Sequence, residues 1–424
     1  MKIKLFLFVL LALSARILSA SDTILVMNYN LLFYGYYTSF CTEENNNVDE
    51  KAQNLHTIID YFKPDLFTVN ELGRNASTAD HLLNNALNVG GIDFYERAAY
   101  TNVANSSIVN MLYYNKNKFG IVSQAIPNST LRDINLYKLY YKAEDLAQTQ
   151  DTTYIICIVA HLKAGSSASD QQTRTQMVSS VMEYIDFFGY EGNVMFMGDF
   201  NMNSSFETAY QVMTNYNNNP ELSFNDPIDM PGQWYNNSDM ALHHTQSTRA
   251  GSQECFVGGG LDDRYDFILV SNDLLSGDSG FKYIDDTYLA VGQDGLRYNQ
   301  SLIDPPNYSQ PEEIINAMYN FSDHLPVILK LEITENLTSS NCNKIVTNNY
   351  ISFNNPVKDY LEIFYNFDLS NKAKGKILDI WGNEIKTVYL KFTPVIKVSD
   401  LTPGIYFLVF EDNDKKSVHK FIKL

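Results

Sequence analysis

Phe321-Ser322-Asp323-His324-Leu325-Pro326-Val327 sets a carboxylate and an imidazole side by side just ahead of an apolar strand. Such a pair can ligate a metal and touch a phosphate at one point; alone, it reads equally well as a loop hydrogen-bond pair. Five other apolar runs carry similar chemistry at one end. Val194-Met195-Phe196-Met197 leads into Gly198-Asp199-Phe200-Asn201, so a strand would deliver Asp199 and Asn201 to its C-terminal edge, with Gly198 letting the backbone approach a ligand. Ile155 to Ala160 ends in His161-Leu162-Lys163-Ala164-Gly165, Leu66 to Asn70 ends in Glu71, and Ile24 to Tyr29 ends in Asn30. The run Arg264 to Val270 opens a further strand with Asp266. Each Asn, Asp or His taken singly could be a turn former that stops a strand. Six strand ends of this kind point to phosphate or metal chemistry.

In this order (Asn30, Glu71, His161, Gly198 to Asn201, Asp266, Ser322 to His324) the motifs resemble those of the endonuclease/exonuclease/phosphatase superfamily, the fold of pancreatic-type deoxyribonucleases, apurinic endonucleases, bacterial sphingomyelinases and inositol polyphosphate phosphatases. The resemblance covers residues 22–333 and implies an α/β fold, a four-layer sandwich of two mixed β-sheets flanked by helices. It further implies that Glu71 and Asp323 bind a divalent cation, with Asn30 assisting as a neutral oxygen donor. Oxygen ligands suit Mg²⁺, with Mn²⁺ or Ca²⁺ as the other candidates, and too few thiolates or imidazoles gather for zinc. Asp199 would orient or deprotonate the attacking water, and Asn201 would orient it or bind phosphate. Two residues apart in an extended segment, they would point the same way. His324 would contact the scissile phosphate while Asp266 bonds its ring, and His161 would be a second phosphate or leaving-group contact. Which histidine is the acid stays open. Asn70 stands where many relatives have Gln, and the family's active-site Tyr is one of Tyr100, Tyr113 and Tyr114.

The chain has 424 residues, 45% of them hydrophobic, which is ample for a core and long for one domain. Met1-Lys2-Ile3-Lys4, the apolar run Leu5 to Leu13 and small residues at 19–21 read as a secretory signal peptide cleaved near Ala20. No later segment approaches the ~20 apolar residues of a transmembrane helix. Residues 341–424 carry 12 Lys against 9 Asp plus Glu, so the formal charge of −18 leaves −21 on residues 1–340. That acidity argues against broad non-specific nucleic-acid binding without excluding a nuclease, since a bound cation inverts the local field. Cys41, Cys157, Cys255 and Cys342 allow three pairings in an exported chain, and their spacing excludes a CxxC site. Cys157 reads as a reduced core residue. In the family fold the loops bearing Cys41 and Cys255 share the functional edge, which implies a Cys41–Cys255 bridge.

A helical rhythm over 48–62 (Leu55, Ile58, Ile59, Phe62) and another over 173–188 (Met177, Val181, Ile185) alternate with the strands. Two loop-rich insertions, 202–260 and 271–320, read either as cleft-shaping segments or as surface padding. Beyond a linker at 334–349, residues 350–424 read as a small all-β sandwich with a turn at Gly382. Their Asn355-Pro356 opening, the Leu401-Thr402-Pro403-Gly404-Ile405-Tyr406 element and the basic-apolar tail resemble the type A C-terminal sorting domain of type IX secretion. The expected organisation is therefore signal peptide 1–20, catalytic domain 21–333, linker, and sorting domain 350–424.

The expected protein is a secreted or cell-surface metal-dependent phosphoesterase, handed to the type IX machinery through its tail, acting as a monomer. Its expected substrate is a phosphodiester, with nucleic acid first; a sphingomyelin or phospholipid phosphodiesterase, a phosphatase of soluble esters, and a non-catalytic surface binder are the alternatives. Arg74, Lys163 and Arg264, with Arg174 and Arg249, are the expected contacts for flanking phosphates. Phe281, Tyr283, Tyr288 and Tyr298 read as packing residues rather than as a membrane-inserting hairpin.

Overall fold

The rhythm over 48–62 becomes helix α1, Val48–Phe62, with Leu55, Ile58 and Ile59 on its buried face. Asn47 caps it by accepting from the Asp49 and Glu50 amides, and left-handed Lys63 ends it. The computed structural model describes residues 23–143, 146, 152–334 and 351–424, the last range without 354, 365–368, 371, 380–383, 392–394 and 414. The expected leader, the linker beyond 334 with Cys342, and the turn at Gly382 lie outside the described residues. The chain divides into two compact units, Met1–Asn336 and Leu337–Leu424.

In the first unit the strands are β1 Thr23–Tyr34, β2 Leu66–Gly73, β3 Tyr95–Arg97, β4 Ile108–Asn115, β5 Phe119–Asn128, β6 Ile134–Tyr141, β7 Tyr154–His161, β8 Val194–Asp199, β9 Phe224–Asn225, β10 Asp266–Ser271, β11 Phe281–Tyr283, β12 Leu289–Ala290 and β13 Val327–Ile333. The other helices are α2 Ala76–Leu82, α3 Ala168–Phe188, α4 Thr208–Thr214, α5 Asn272–Ser276 and α6 Glu312–Phe321. One mixed sheet runs β11-β13-β1-β2-β4-β3 with β12 on β13, and the other runs β5-β6-β7-β8-β10-β9. The expected two-sheet α/β class holds. The central strands β7, β8 and β10 of the second sheet are buried on both faces: Met195 and Met197 of β8 join the core shared with the first sheet, while Val194 and Phe196 join the core under α3 and α4. That is why these runs are continuously apolar. A Ser167–Asp170 capping box starts α3, and left-handed Gly189 stops it.

Register decides what the sheets deliver. Parallel β1 and β2 align Asn30 with Asn70, one residue before Glu71. Parallel β7 and β8 align His161 with Asp199, and antiparallel β10 aligns Asp266 with the same Asp199. Both sheets therefore bring their motifs to one edge. The insertions are not padding. The first contributes buried Trp234 to the core, and the second contributes α6 and the two short strands on β13. Phe281, Tyr283 and Tyr288 are buried, as packing residues should be, and Tyr298 bonds Asn236. No helix among the described residues is long and apolar enough to cross a membrane.

The second unit is all-β: β14 Ser352–Phe353, β15 Tyr360–Phe364, β16 Lys374–Leu378, β17 Glu384–Tyr389, β18 Val395–Lys397, β19 Gly404–Asp412 and β20 Lys415–Lys423. They form antiparallel sheets β14-β15-β18 and β17-β16-β19-β20 over a core that includes Leu361, Ile377, Leu408, Phe410 and Phe421.

Candidate active site

His161, Asp199 and Asp266 form a row across β7, β8 and β10, and Asn30 and Glu71 arrive from β1 and β2 of the facing sheet. His324 Nδ1 lies 2.7 Å from Asp266 Oδ2, and its Nε2 lies 3.9 Å from Asp199 Oδ2. His161 Nε2 lies 3.5 Å from Asp199 Oδ2 and 3.9 Å from Glu71 Oε1. Ser322 fastens the last motif to the first: its hydroxyl donates to the Asn30 carbonyl at 2.7 Å and accepts from the His324 amide.

The sequence did not single out Arg132, at the threshold of β6. Its Nη1 is 2.7 Å from His161 Nδ1. A guanidinium only donates, so Nδ1 accepts and the ring proton of neutral His161 sits on Nε2, facing the carboxylates. Burial, then the charges of Arg132 and His324, hold His161 well below its usual pKa. His324 is the opposite case. Burial, the largest single influence, would lower it, but Asp266, Asp199 and Asp323 together outweigh that and hold it well above the usual range. The two histidines are thus pulled in opposite directions within the same cluster.

The carboxylates are crowded. Burial, then the charge of Asp323, raises Glu71. Burial also raises Asp199, with Asp266 and Glu71 adding to it against His324. Asp323 Oδ1 is buried without a hydrogen-bond partner. An unpartnered buried carboxylate oxygen beside a raised carboxylate fits a divalent cation. Donor atoms of Glu71, His161 and Asp199 also lie within 4.8 Å of one another. His161 does not fit as the third ligand, because Arg132 leaves it a proton on Nε2 where a metal would need a lone pair.

Several expectations change. Asn30 Oδ1 accepts the Leu32 amide at 3.0 Å, so its NH₂ faces Glu71 Oε1 at 3.2 Å and Asp199 Oδ2 at 2.9 Å. It steadies carboxylates rather than offering the cation an oxygen. Asn201 is not on an extended segment; β8 ends at Asp199, and Asn201 sits at φ 52 with its amide on Asp199 Oδ1. Gly198 serves no ligand approach either, because a Cβ there would stand 1.7 Å from the Ala160 carbonyl oxygen of the next strand. Arg264 is buried and clamps Asp226 through two 2.8 Å bonds, so it is no substrate contact. Arg174 is likewise internal, bonding Glu207 and the Lys163 and Gly165 carbonyls. Arg249 lies over the rings of Phe256 and Tyr319. Arg74 bonds Asn105, and Lys163 pairs with Asp170 at 2.8 Å; both remain partly exposed. Of the tyrosines, Tyr100 bonds the Arg74 carbonyl, Tyr113 the Ala79 carbonyl and Tyr114 Glu96.

Supports come from residues with no motif. Asn70 donates to the Ala160 carbonyl and accepts the Asp199 amide, joining the two sheets below the site. The Cys41–Cys255 disulfide is formed and Cys157 is free and buried. The bridge joins the loop after β1 to the loop before β10; the end of β1 gives Glu71 a backbone donor, Phe33 N–H at 3.1 Å, and Val257 N–H, beside Cys255, gives Asp323 one at 3.3 Å. Gln246 Nε2 lies 2.7 Å from His324 Nε2 and 3.3 Å from Asp323 Oδ2.

Residues 353–424 match the family model described as the secretion system C-terminal sorting domain. No curated protein matches the chain. Similar solved structures include an endonuclease/exonuclease/phosphatase family protein from Bacteroides thetaiotaomicron, 14% identical over 74% of this chain and 99% of that one, with a TM-score of 0.46. The human Nocturnin catalytic domain with bound sulfate is 15% identical over 74% and 97%, TM-score 0.46. D. rerio TDP2 complexed with single strand DNA product is 14% identical over 73% and 99%, TM-score 0.45. The tail thus matches the sorting-domain family that its own motifs resemble.

Proposed function

We propose that residues 21–333 form a divalent-metal-dependent phosphoesterase that hydrolyses phosphodiesters, nucleic acid first among them, and that residues 350–424 direct it out of the cell by type IX secretion. One arrangement carries the reading: the carboxylates of half-buried Glu71 and buried Asp199 and Asp323 meet two buried histidines, one held by the Asp266 carboxylate and the other by the Arg132 guanidinium. A binding module has no use for that arrangement. Glu71 and Asp323 would hold the cation, which when bound would supply Lewis-acid neutralisation of phosphoryl charge. Asp199, steadied by the Asn30 amide, orients the attacking water and accepts its proton. His324, fixed by Asp266, donates to the phosphoryl group, and His161 presents its Nε2–H as a neutral second donor. Asn201 stands at the rim of the cluster, where it meets water or phosphate.

Glu71→Ala and His324→Ala should each lower turnover of a chromogenic phosphodiester by ~10²-fold or more, and EDTA should abolish it. Native activity in either folded variant removes the assignment. Of the five cations expected to grip flanking phosphates, Arg74 and Lys163 remain partly exposed, so contact with nucleic acid should be weak and fade between low and moderate salt. The same loss of cations favours a second reading, a small soluble phosphate ester. Plasmid DNA, RNA, sphingomyelin vesicles and inositol phosphate assayed in parallel decide between them.

A further inference from the structure

The reaction proposed for this site leaves Gln246 without a part, yet its side chain lies at the centre. His324 offers two ring nitrogens: Nδ1 is taken by Asp266 at 2.7 Å, and Nε2 faces the cluster. Gln246 Nε2 stands 2.7 Å from that second nitrogen, where a phosphoryl oxygen would have to arrive. The carboxamide can satisfy the ring in either protonation state, through its NH₂ or, turned over, through its oxygen. It is therefore a resident stand-in for a polar substrate atom.

Its backbone is fixed and its side chain is only half-buried. The Gln246 amide donates to the Asp263 carbonyl at 3.1 Å, and its carbonyl accepts from the Asp262 and Asp263 amides, both at 3.0 Å. On either side, the Thr245 carbonyl accepts from Leu325 N–H and Thr248 N–H donates to the Asp323 carbonyl. Residue 246 is thus tied both to the segment leading into Asp266 and to the Asp323-His324 loop. Asp323 Oδ2 has a second donor in Val257 N–H, so Gln246 is not required to hold it. A neutral amide has one advantage here over Lys or Arg: it can donate to phosphate without forming an ion pair that neutralises Asp323.

We propose that Gln246 is a substrate-contacting residue: its carboxamide leaves His324 Nε2 when a phosphoryl oxygen arrives, and donates to that same oxygen. This rests on the phosphoesterase reading and deepens it, because only a substrate with a free anionic phosphoryl oxygen displaces the amide and takes both donors.

The test compares the full-length protein with Gln246→Met, which keeps length without a donor, and Gln246→Glu, which keeps shape and adds charge. The readouts are kcat and KM on a chromogenic phosphodiester, the inhibition constant of inorganic phosphate, and Tm. Gln246→Met should lose ~10²-fold in kcat/KM, the scale of one lost oxyanion donor. Its inhibition constant for phosphate should rise by about tenfold with little change in Tm, and Gln246→Glu should be worse on both counts. A variant that lowers Tm but leaves phosphate inhibition native overturns the proposal, as does Gln246→Met within twofold of native kcat/KM. Should Gln246→Met not fold, Gln246→Asn, which retains the amide one methylene short, must show the same rise in the inhibition constant. His324→Ala separates the two levels. Native activity there sinks the phosphoesterase reading, whereas loss there with an unaffected Gln246→Met sinks only the role of Gln246.

Discussion

Lys51 is a buried cation that pairs with no carboxylate among the described residues. Its Nζ donates to the Leu32 carbonyl at 3.0 Å and the Phe321 carbonyl at 2.6 Å, and lies 4.8 Å from the Phe321 ring centre. It thereby joins the end of β1, where Leu32 and Phe33 take positive φ, to the end of α6 just before Asp323. Burial pushes its pKa down to about 7, against the pull of Asp323 and Glu71. An unfolded lysine titrates near 10.4. Between these values the unfolded chain binds the proton that the folded chain has released, so this group makes stability rise with pH from about 7 upward. Melting curves from pH 6.5 to 9 should show native Tm gaining on that of Lys51→Met across this window. Parallel profiles would mean that Lys51 does not titrate there. Arg132 works at the same scale, since one guanidinium on Nδ1 decides that His161 donates from Nε2.

At the scale of elements, strand register and loop ties make the site. Gly198, at φ 142, lets β8 lie against the Ala160 carbonyl, and this keeps Asp199 level with His161. Gly198→Ala forces a Cβ into backbone that cannot yield as a flexible side chain would. We expect a loss of ~2 kcal/mol or more of stability, of the order of severe overpacking, read by denaturant unfolding. An unchanged midpoint would show that the strands can part there at little cost. The Cys41–Cys255 disulfide closes a separation of 214 residues. Loop-closure entropy puts its upper contribution at roughly 5 kcal/mol. Its functional effect should be local, because one bridged loop carries the Val257 amide on Asp323 and the other follows directly on the end of β1, which carries the Phe33 amide on Glu71. Cys41→Ser with Cys255→Ser should need several-fold more Mg²⁺ for half-maximal activity at a temperature where it remains folded. An unshifted Mg²⁺ requirement would limit the bridge to stability.

For the whole molecule, the proposed reading puts the chemistry in the first of the two units and the address in the second. Each unit has its own core, and the strand-end motifs all lie in the first. A chain ending after Thr334 should hydrolyse the phosphodiester at the native rate and accumulate in the periplasm of its host. A folded truncation that is inactive, or one that still reaches the medium, would give the C-terminal unit another task. The acidic first unit sets the salt dependence expected of any polyanionic substrate.

Much of this was legible in the sequence because it is local. Continuous apolar runs gave the strands of a sheet buried on both faces, and a 3.6-residue rhythm gave α1 to the residue. Short polar stops after those runs gave Glu71, His161 and Asp199, an acidic opening gave Asp266, and the Asp-His pair gave the last motif. Orientation was not local. Asn30 looked like an oxygen donor until the Leu32 amide took its oxygen, and Asn201 looked extended until the chain turned left-handed. Arg264 looked free until Asp226, 38 residues away, took its guanidinium. Arg132 and Gln246 reach their histidines across separations of 29 and 78 residues, with no periodicity or motif to mark them. Hydrophobic pattern and turn chemistry depend on neighbours in the chain, so the sequence alone determined the elements and most of the chemical groups at their ends. A hydrogen bond depends on which groups meet in space, so only the tertiary structure decided which way each of those groups points, what holds it, and whether it is free to act.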